Sequence, residues 1–184
     1  MAGCPKEGGK GANMHERRAA RFFLTFLLLV CGITAARSND AEAGRIRRQL
    51  RMSQPVKLSE EDWRKILTPA QFLVLRERAT EPPFTNEYAN THQSGIYLCA
   101  ACGNELFDSK TKFESGTGWP SFYAPLAQDK IALAADRTTG LSRQEVMCAR
   151  CRSHLGHVFH DGPPPTHLRY CLNSVSLKLK KSKD

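Results

Sequence analysis

Cys171 is the residue with the clearest capacity for chemistry, because it is the one cysteine after residue 36 that has no second cysteine three positions away. The other four in that part of the chain form two C-x-x-C pairs, Cys99 with Cys102 and Cys148 with Cys151. Paired motifs of this kind are typical of a closed metal site with four sulfur ligands. A thiol left outside such a site is free to act as a nucleophile.

The two C-x-x-C pairs predict one structural zinc ion. Each turn brings two thiolates onto one ion, and two turns complete a tetrahedral site. Forty-five residues separate the pairs, so the metal would hold two distant hairpins together and link metal binding to folding. Four cysteines leave no open position for a substrate, so we expect this zinc to do no chemistry. The alternative is two redox-active dithiols or two disulfides, which an exported protein would permit.

Two residues near Cys171 in sequence could tune or orient a nucleophile. A cysteine attacks as the thiolate, and a nearby cation lowers the pKa of a thiol from its ordinary value of about 8.5. On a strand, Arg169 projects to the same side as Cys171, so its charge would favour the thiolate. Asn173 follows two residues later and could orient neighbouring groups.

Two histidines and two aromatic residues are the other candidates. His154 and His157 are three positions apart, which places them on opposite faces of a regular strand, and a bulge at Gly156 would return them to one face. Each histidine taken alone, like Trp119 taken alone, is more often a core residue. Their occurrence together with an unpaired cysteine favours one site, composed of Trp119, His154, His157, Phe159, Arg169, Cys171 and Asn173.

Short extended segments follow short helices along the chain. Ser59 and Thr68-Pro69-Ala70-Gln71 are helix start signals, and the second helix should end before Pro82. Strand candidates separated by turn residues lie at 96–98, 105–107, 130–134, 143–147, 154–159 and 169–179. In the last, the alternation places Arg169, Cys171, Asn173, Val175, Leu177 and Leu179 on one face. This pattern predicts a mainly β domain of antiparallel sheets with helices at its N-terminal edge.

The N-terminal segment, residues 1–36, reads as a signal peptide. Arg17, Arg18 and Arg21 precede an apolar run at 22–33, and small residues follow. The run is shorter than the roughly twenty residues of a membrane-spanning helix. We therefore expect export to a periplasm, the secretory pathway or the exterior, with an uncleaved membrane anchor as the alternative.

The remaining chain divides into a linker at 37–55, a domain at 56–180 and a basic tail at 181–184. The net charge is +9, and the lysine-rich C-terminus has no aromatic residues among its lysines. Nucleic-acid binding is therefore not expected, and the tail reads as a solvated end.

Four motifs in order resemble the B-type methionine-R-sulfoxide reductases. They are S-G-T-G-W-P-S-F at 115–122, H-L-G-H-V-F at 154–159 with Asp161-Gly162, R-Y-C-L-N-S at 169–174, and the paired C-x-x-C motifs of the zinc-bearing members. The resemblance covers residues 56 to 179 and implies a fold of two antiparallel β-sheets with short N-terminal helices. It also implies reduction of the R epimer of methionine sulfoxide in oxidised proteins or peptides, which repairs oxidative damage.

The resemblance assigns a role to each candidate residue. Cys171 would be the nucleophile, oxidised to the sulfenic acid. His154, His157 and Asn173 would surround the sulfoxide oxygen and a bound water. Trp119, with Phe159 and Arg169, would hold the substrate. A thioredoxin-like reductant would recycle the enzyme, which is expected to be a monomer.

Thr117 is a departure from many members of the family, which have a resolving cysteine in that loop. Cys4 and Cys31 are the only other cysteines, and a cleaved signal peptide removes both. The reductant would then attack the sulfenic acid directly, or a metal-site cysteine would be recruited. Two other functions stay open from the residues: a zinc-stapled domain that binds a partner without catalysis, and a zinc hydrolase that uses the histidines.

Overall fold

The computed structural model describes residues 40–51, 55–138 and 143–182. The predicted signal peptide lies outside these ranges. The chain divides into two compact units, Met1–Gly44 and Arg45–Asp184. Of the first, only residues 40–44 are described, and they are helical. Within the described ranges, no helix has the length and apolar character that crossing a membrane requires.

In the described part of the chain, three helices precede the strands, and two of them start where the sequence predicts. Helix α2 (Glu60–Ile66) begins after Ser59, whose hydroxyl accepts from the Asp62 N–H at 3.1 Å. Helix α3 (Pro69–Leu75) begins after Thr68, where a full capping box with Gln71 satisfies two backbone donors. Their buried faces, which include Trp63 and Phe72, pack into the core.

Helix α1 (40–51) corrects the linker interpretation of 37–55. Ile46 and Leu50, four residues apart on one helical face, are buried. The Arg150 guanidinium donates to the carbonyl oxygen of Leu50 at the helix end. The helix is stabilised by contacts with residues a hundred positions away, and its own apolar pattern is too sparse to indicate it.

Two antiparallel sheets form the domain, as predicted. Strands β1 (Gly95–Cys99), β2 (Glu105–Asp108) and β9 (Leu177–Lys181) form a sheet in the order β2-β1-β9. The second sheet has the order β3-β4-β8-β7-β6-β5. Its strands are β3 (Lys112–Phe113), β4 (Ser121–Phe122), β5 (Ile131–Asp136), β6 (Arg143–Cys148), β7 (His154–Phe159) and β8 (Arg169–Leu172).

A chain of aromatic rings contributed by both sheets lies in the core. Tyr97 of β1 meets Phe122 of β4 with ring centroids 5.0 Å apart, and Phe107 of β2 meets Phe122 at 4.8 Å and Tyr170 of β8 at 5.6 Å. All four rings are almost fully buried. Because side chains alternate along a strand, an inward Tyr170 turns its neighbour Cys171 to the opposite face.

The final strand candidate, 169–179, is two strands in different sheets. The chain leaves β8 after Leu172, makes a 3-10 turn at Ser174–Ser176, and enters β9. The prediction that one strand places Arg169, Cys171, Asn173, Val175, Leu177 and Leu179 on one face is therefore wrong. The turn forms because the Ser176 hydroxyl donates to the Asn173 carbonyl oxygen at 2.6 Å. A regular sheet ladder would not allow this bond.

Candidate active site and metal centre

Cys171 lies on strand β8 and has a polar residue directly opposite it on each of the two neighbouring strands. Its register partners are His157 on β7 and Ser121 on β4. Residues directly opposite in antiparallel strands have side chains on the same face, so these three share one surface of the sheet. A cavity of about 130 Å³ opens there, lined by Thr80, Trp119, Arg143, Gly156, His157, Phe159, Cys171, Leu172 and Asn173.

Gly156 allows strand β7 to approach the strand of the nucleophile. A Cβ at this position would lie against the carbonyl oxygen of Cys171 and within 2.9 Å of the Leu172 Cα. The register between β6 and β7 shifts here, since Val146 pairs with Gly156 while Met147 pairs with His154. The predicted bulge is present, and it brings the two histidine rings to 5.5 Å between centroids.

His154 is buried beneath the cavity. Its Nδ1 lies 2.7 Å from Oε1 of Glu145, whose other oxygen accepts from Arg78 at 2.9 Å. Burial lowers the pKa of His154, against the opposing influence of Glu145. Among the described residues, no group bonds to its Nε2.

His157 lines the cavity and is held by a second carboxylate. Its Nε2 lies 2.7 Å from Oδ2 of Asp136, which also accepts from Arg143 at 2.8 Å. The hydroxyl and N–H of Thr138, with His157 and Arg143, hold the pKa of Asp136 well below its usual range. A carboxylate only accepts hydrogen bonds, so the His157 Nε2 carries a proton.

Arg169 is committed to an ion pair beside the nucleophile. Its Nε and Nη2 each donate to Asp161 at 2.8 Å, and its guanidinium lies 4.4 Å from the centroid of the Phe159 ring. Burial raises the pKa of the Cys171 thiol, although Thr117 and the Arg169 charge act in the opposite direction. The expected influence of Arg169 on the thiolate is present, but burial outweighs it.

Asn173 is fixed by three hydrogen bonds at the end of β8. Its backbone N–H and its side-chain Nδ2 both donate to the carbonyl of Leu155, at 2.8 and 3.1 Å. Its Oδ1 accepts from the N–H of Glu81 at 3.1 Å. The side chain therefore lies at the cavity wall in a single orientation.

Glu81 is a residue that sequence reasoning missed. Its carboxylate accepts from the backbone N–H groups of Ser174 and Val175, and its carbonyl accepts from the Trp119 indole at 3.1 Å. Burial raises the pKa of Glu81, against the two backbone donors. Its neighbours in sequence include prolines and threonines, and nothing in that pattern indicates that the carboxylate and the backbone of Glu81 each bond to distant residues.

The four paired cysteines converge at one point, as predicted. Their sulfur atoms all lie within 4.8 Å of one another, with Cys99 to Cys151 at 3.7 Å and Cys102 to Cys148 at 3.6 Å. A tetrahedral zinc with Zn–S bonds of about 2.3 Å requires sulfur separations of about 3.8 Å. The residues therefore fit a bound metal ion.

The surroundings of the cluster also fit a cation. The neighbouring thiols Cys102, Cys148 and Cys151, together with burial, raise the pKa of Cys99 well above its ordinary value. A metal ion would supply the positive charge that allows four buried thiolates to coexist. No histidine belongs to the cluster found among the described residues, so a hydrolytic site built on these ligands finds no support.

Five of the predicted residues, Trp119, His157, Phe159, Cys171 and Asn173, line one cavity. His154 is buried beneath them, and Arg169 lies beside them in its ion pair. The carboxylates that hold the histidines and the arginine, Asp136, Glu145 and Asp161, were not predicted as site residues. They lie on other segments, and only strand pairing brings them near.

Comparisons with known proteins agree with this geometry. The SelR domain model matches residues 67–181. The chain is 56% identical over 129 residues to a peptide methionine sulfoxide reductase MsrB of Methanosarcina mazei, covering 70% of this chain and 92% of that protein. It is 51% identical over 130 residues to one of Leptospira interrogans, covering 71% and 99%. A third, of Bradyrhizobium diazoefficiens, is 56% identical over 122 residues, covering 66% and 88%.

Proposed function

The chain belongs to the SelR domain family, with peptide methionine sulfoxide reductases of the MsrB type, and from that membership we propose how its residues perform the reaction. The activity is peptide-methionine (R)-S-oxide reductase activity, in which a methionine sulfoxide is converted to methionine.

One observation carries the assignment of the nucleophile. Of the five cysteines in the described ranges, four converge on the metal site, and Cys171 alone lines the cavity with Trp119. The thiolate of Cys171 attacks the sulfoxide sulfur, and the S–O bond breaks as the oxygen passes to Cys171. The products are methionine and the Cys171 sulfenic acid. Because the attacking sulfur is a thiolate, the reaction consumes one proton.

His157 is the proton donor that we assign to this step. It lines the cavity, whereas His154 is 3% exposed and lies beneath it. Its Nε2 is engaged by Asp136, so Nδ1 is the ring nitrogen that can reach a substrate. A histidine that donates from both nitrogens is the imidazolium, which can protonate the sulfoxide oxygen as the S–O bond weakens. We assign His154, whose Nε2 bonds to no described group, to a water molecule beside that oxygen. Asn173 holds the backbone of Leu155 and Glu81 at the cavity wall.

Trp119 and Phe159 supply the apolar surface for the substrate methyl group. Both rings line the cavity, and the indole is fixed by its hydrogen bond to Glu81. An aromatic face favours a methyl group over a polar substituent and keeps water from the sulfur.

The external reductant attacks the Cys171 sulfenic acid directly in this scheme, because Thr117 occupies the loop position beside the nucleophile. The Thr117 Oγ1 lies 3.8 Å from the Cys171 Sγ. A first thiol of the reductant attacks the sulfenic acid, forming a mixed disulfide and releasing water. A second thiol then displaces Cys171 and leaves the reductant as a disulfide. A thioredoxin-like dithiol supplies both thiols at once.

Zinc is the metal that we assign to the four-cysteine cluster. Cys99, Cys102, Cys148 and Cys151 would hold it, and the all-sulfur tetrahedral arrangement is the one zinc prefers. Bound there, it supplies folding stability and leaves no open position for substrate. The domain is expected to act as a monomer on oxidised proteins or peptides, with a role in protein repair under oxidative stress.

The epimers of methionine sulfoxide provide the direct test. Purified protein with dithiothreitol should consume N-acetyl-methionine-R-sulfoxide and leave the S epimer, as measured by chiral chromatography. Equal consumption of both epimers, or of the S epimer alone, would contradict the assignment.

We also propose that residues 1–36 direct export. The support is the sequence pattern of basic residues, apolar run and small residues. N-terminal sequencing of protein from the native host should give a mature chain that begins near residue 37. An intact N-terminus in the membrane fraction would instead favour an anchor.

A further inference from the structure

Three hydroxyl groups form a chain that leads to the Cys171 sulfur. Ser121 Oγ lies 2.7 Å from Ser115 Oγ, and Ser115 Oγ lies 2.8 Å from Thr117 Oγ1. Thr117 Oγ1 lies 3.8 Å from the Cys171 Sγ, within the range of a hydrogen bond to sulfur. Ser121 is fully buried on the strand that pairs with Cys171.

Counting donors and acceptors gives this chain one direction. Ser115 Oγ accepts from the Ser121 hydroxyl and from the Thr117 backbone N–H, which uses both of its lone pairs. Its single hydroxyl hydrogen is therefore donated to Thr117 Oγ1. Thr117 accepts that bond and has its own hydrogen left for the sulfur. Hydrogen bonds that run in one direction polarise each other, so the last donor is strengthened.

We propose that the Thr117 hydroxyl is the hydrogen-bond donor that stabilises the Cys171 thiolate, with Ser115 and Ser121 fixing its direction. The inference rests on the proposed role of Cys171 and deepens it. Thr117 cannot form the disulfide with Cys171 that a resolving cysteine would form. Its own function, in this proposal, is to activate Cys171 for attack.

The surrounding charges do not supply this stabilisation fully. Arg169 is paired with Asp161, and the other basic residues at the cavity are His157 and Arg143, both bonded to Asp136. Strand β4 presents only the hydroxyl of Ser121. Burial raises the pKa of the Cys171 thiol, and the hydrogen bond from Thr117 lowers it together with Arg169 and Ser121.

The test is the pH profile of Cys171 alkylation by iodoacetamide in reduced protein, followed by peptide mass spectrometry. Thr117→Val keeps the shape of the side chain and removes the donor, so the midpoint should rise by about one pH unit. Thr117→Ser should restore the midpoint, and Ser115→Ala should raise it by a smaller amount. Thr91→Val, whose hydroxyl donates to the Glu87 carbonyl at the surface, is the matched control.

A midpoint that is the same in Thr117→Val and wild type, with unchanged circular dichroism, would overturn the proposal. The proposal would also be overturned if the alkylation midpoint of the Thr91→Val control rose by the same amount. Since no sulfoxide is present, the result does not depend on turnover, and a failure here is distinguishable from a failure of the proposed function.

An apolar groove beside the cavity carries a second inference. The groove has a volume of about 340 Å³ and is lined by residues of α3 and of 79–86, with Val175. Thr80 lines both this groove and the cavity of Cys171, so the two are neighbours at that residue. Leu73 stands at its wall with 49% of its surface exposed. The one ionisable residue in the lining, Glu81, has its carboxylate engaged by two backbone N–H groups.

We infer that this groove binds the apolar side chain of a residue next to the oxidised methionine in a polypeptide substrate. The cavity of about 130 Å³ has room for the end of a methionine side chain, and the adjoining chain of the substrate must cross its rim. Beyond Thr80, the substrate chain meets the groove, whose lining is mainly apolar and contains no free charge. This inference also rests on the proposed function, because it names the substrate context of the same site.

Short peptides with the sulfoxide flanked by leucine or by serine test the groove. Wild-type protein should reduce Gly-Met(R-O)-Leu or Leu-Met(R-O)-Gly with a kcat/KM about five- to ten-fold above that of the serine version. Leu73→Ser should bring that ratio close to one. Leu133→Ser is the matched control, because Leu133 on β5 is 45% exposed and lies outside the groove.

A ratio near one in wild type, or an equal loss in both variants, would overturn the groove inference. If wild type reduces none of the peptides and no free sulfoxide either, the proposed function itself has failed.

Discussion

The indole N–H of Trp119 donates to the backbone carbonyl of Glu81 at 3.1 Å, while the N–H of the same glutamate donates to the Asn173 side chain at 3.1 Å. One peptide segment thus sets the position of an aromatic wall and of a polar wall of the cavity. The Glu81 carboxylate, bonded to Ser174 and Val175 N–H, holds that segment on the turn between the two sheets. Glu81 acts through its partners and is a positioning residue.

Glu81→Gln should lower kcat/KM by about ten-fold, since the amide keeps one acceptor oxygen and places an NH2 group against the second backbone N–H, which loses its charged acceptor. The indole N–H resonance of Trp119 should shift in a nitrogen–proton NMR spectrum, which a loss of general stability alone would not produce. Glu77→Gln, at an exposed ion pair with Arg64, is the control and should leave both unchanged. An unshifted Trp119 signal in Glu81→Gln would contradict the role.

Cys171→Ser should abolish sulfoxide reduction, because a serine hydroxyl is a far weaker nucleophile at neutral pH. The metal content and melting temperature should stay close to wild type, since Cys171 is not among the converging sulfur atoms. Metal analysis, thermal unfolding and the epimer assay check this. Residual activity well above the background of free dithiothreitol would exclude Cys171 as the nucleophile.

Cys102→Ser should lose the metal and much of the stability of the domain, because structural zinc contributes on the order of ten kcal/mol in peptides. Elemental analysis of purified protein and its melting temperature are the measurements. Cys171→Ser, the same substitution outside the cluster, is the control. A Cys102→Ser protein with one metal equivalent and an unchanged melting temperature would show that the cluster is not a metal site.

Thr117→Cys should form a disulfide with Cys171 after one turnover without reductant. The wild-type Thr117 Oγ1 already lies 3.8 Å from the sulfur, so a thiol there can reach a sulfenic acid. In the wild type, dimedone should instead trap Cys171 as the sulfenic acid. A peptide map that shows wild-type Cys171 joined to another cysteine would place the resolving residue elsewhere.

Arg169→Gln should slow the alkylation of Cys171 at neutral pH. The Arg169 charge lowers the pKa of this thiol while burial raises it, so removal of the charge leaves burial less opposed and the pKa moves further up. At pH 7, below the pKa, the thiolate fraction then falls. The other basic residues that line the cavity, His157 and Arg143, are bonded to Asp136 and are not changed by this substitution. Faster alkylation in Arg169→Gln would contradict the sign.

The parts of this protein that its sequence predicts are those with local causes. The bounds of β7 at His154–Phe159, the caps at Ser59 and Thr68, and the bulge at Gly156 follow from propensity and spacing over a few residues. The metal ligands were predictable for the same reason, because two C-x-x-C turns have few other uses.

The parts that were missed have causes far away in the chain. Alternation continues through 173–176, but the Leu155 carbonyl and the Glu81 carboxylate bond to groups of that turn and end strand β8. The end of helix α1 is bonded by Arg150, and Glu81 bonds to distant residues through both its carboxylate and its backbone. Composition and period contain no signal for such contacts, because they arise only when the two sheets assemble.

The grouping of four of the five described cysteines has a consequence for the selectivity of oxidation. Thiolates that a metal ion coordinates are withdrawn from disulfide exchange, which needs a free attacking sulfur. With the four sulfur atoms of the cluster within 4.8 Å of one another around such an ion, Cys171 is the one thiol of the described ranges left open to oxidants. Loss of the metal would return four competing thiols to the domain, so oxidation would no longer be confined to the nucleophile.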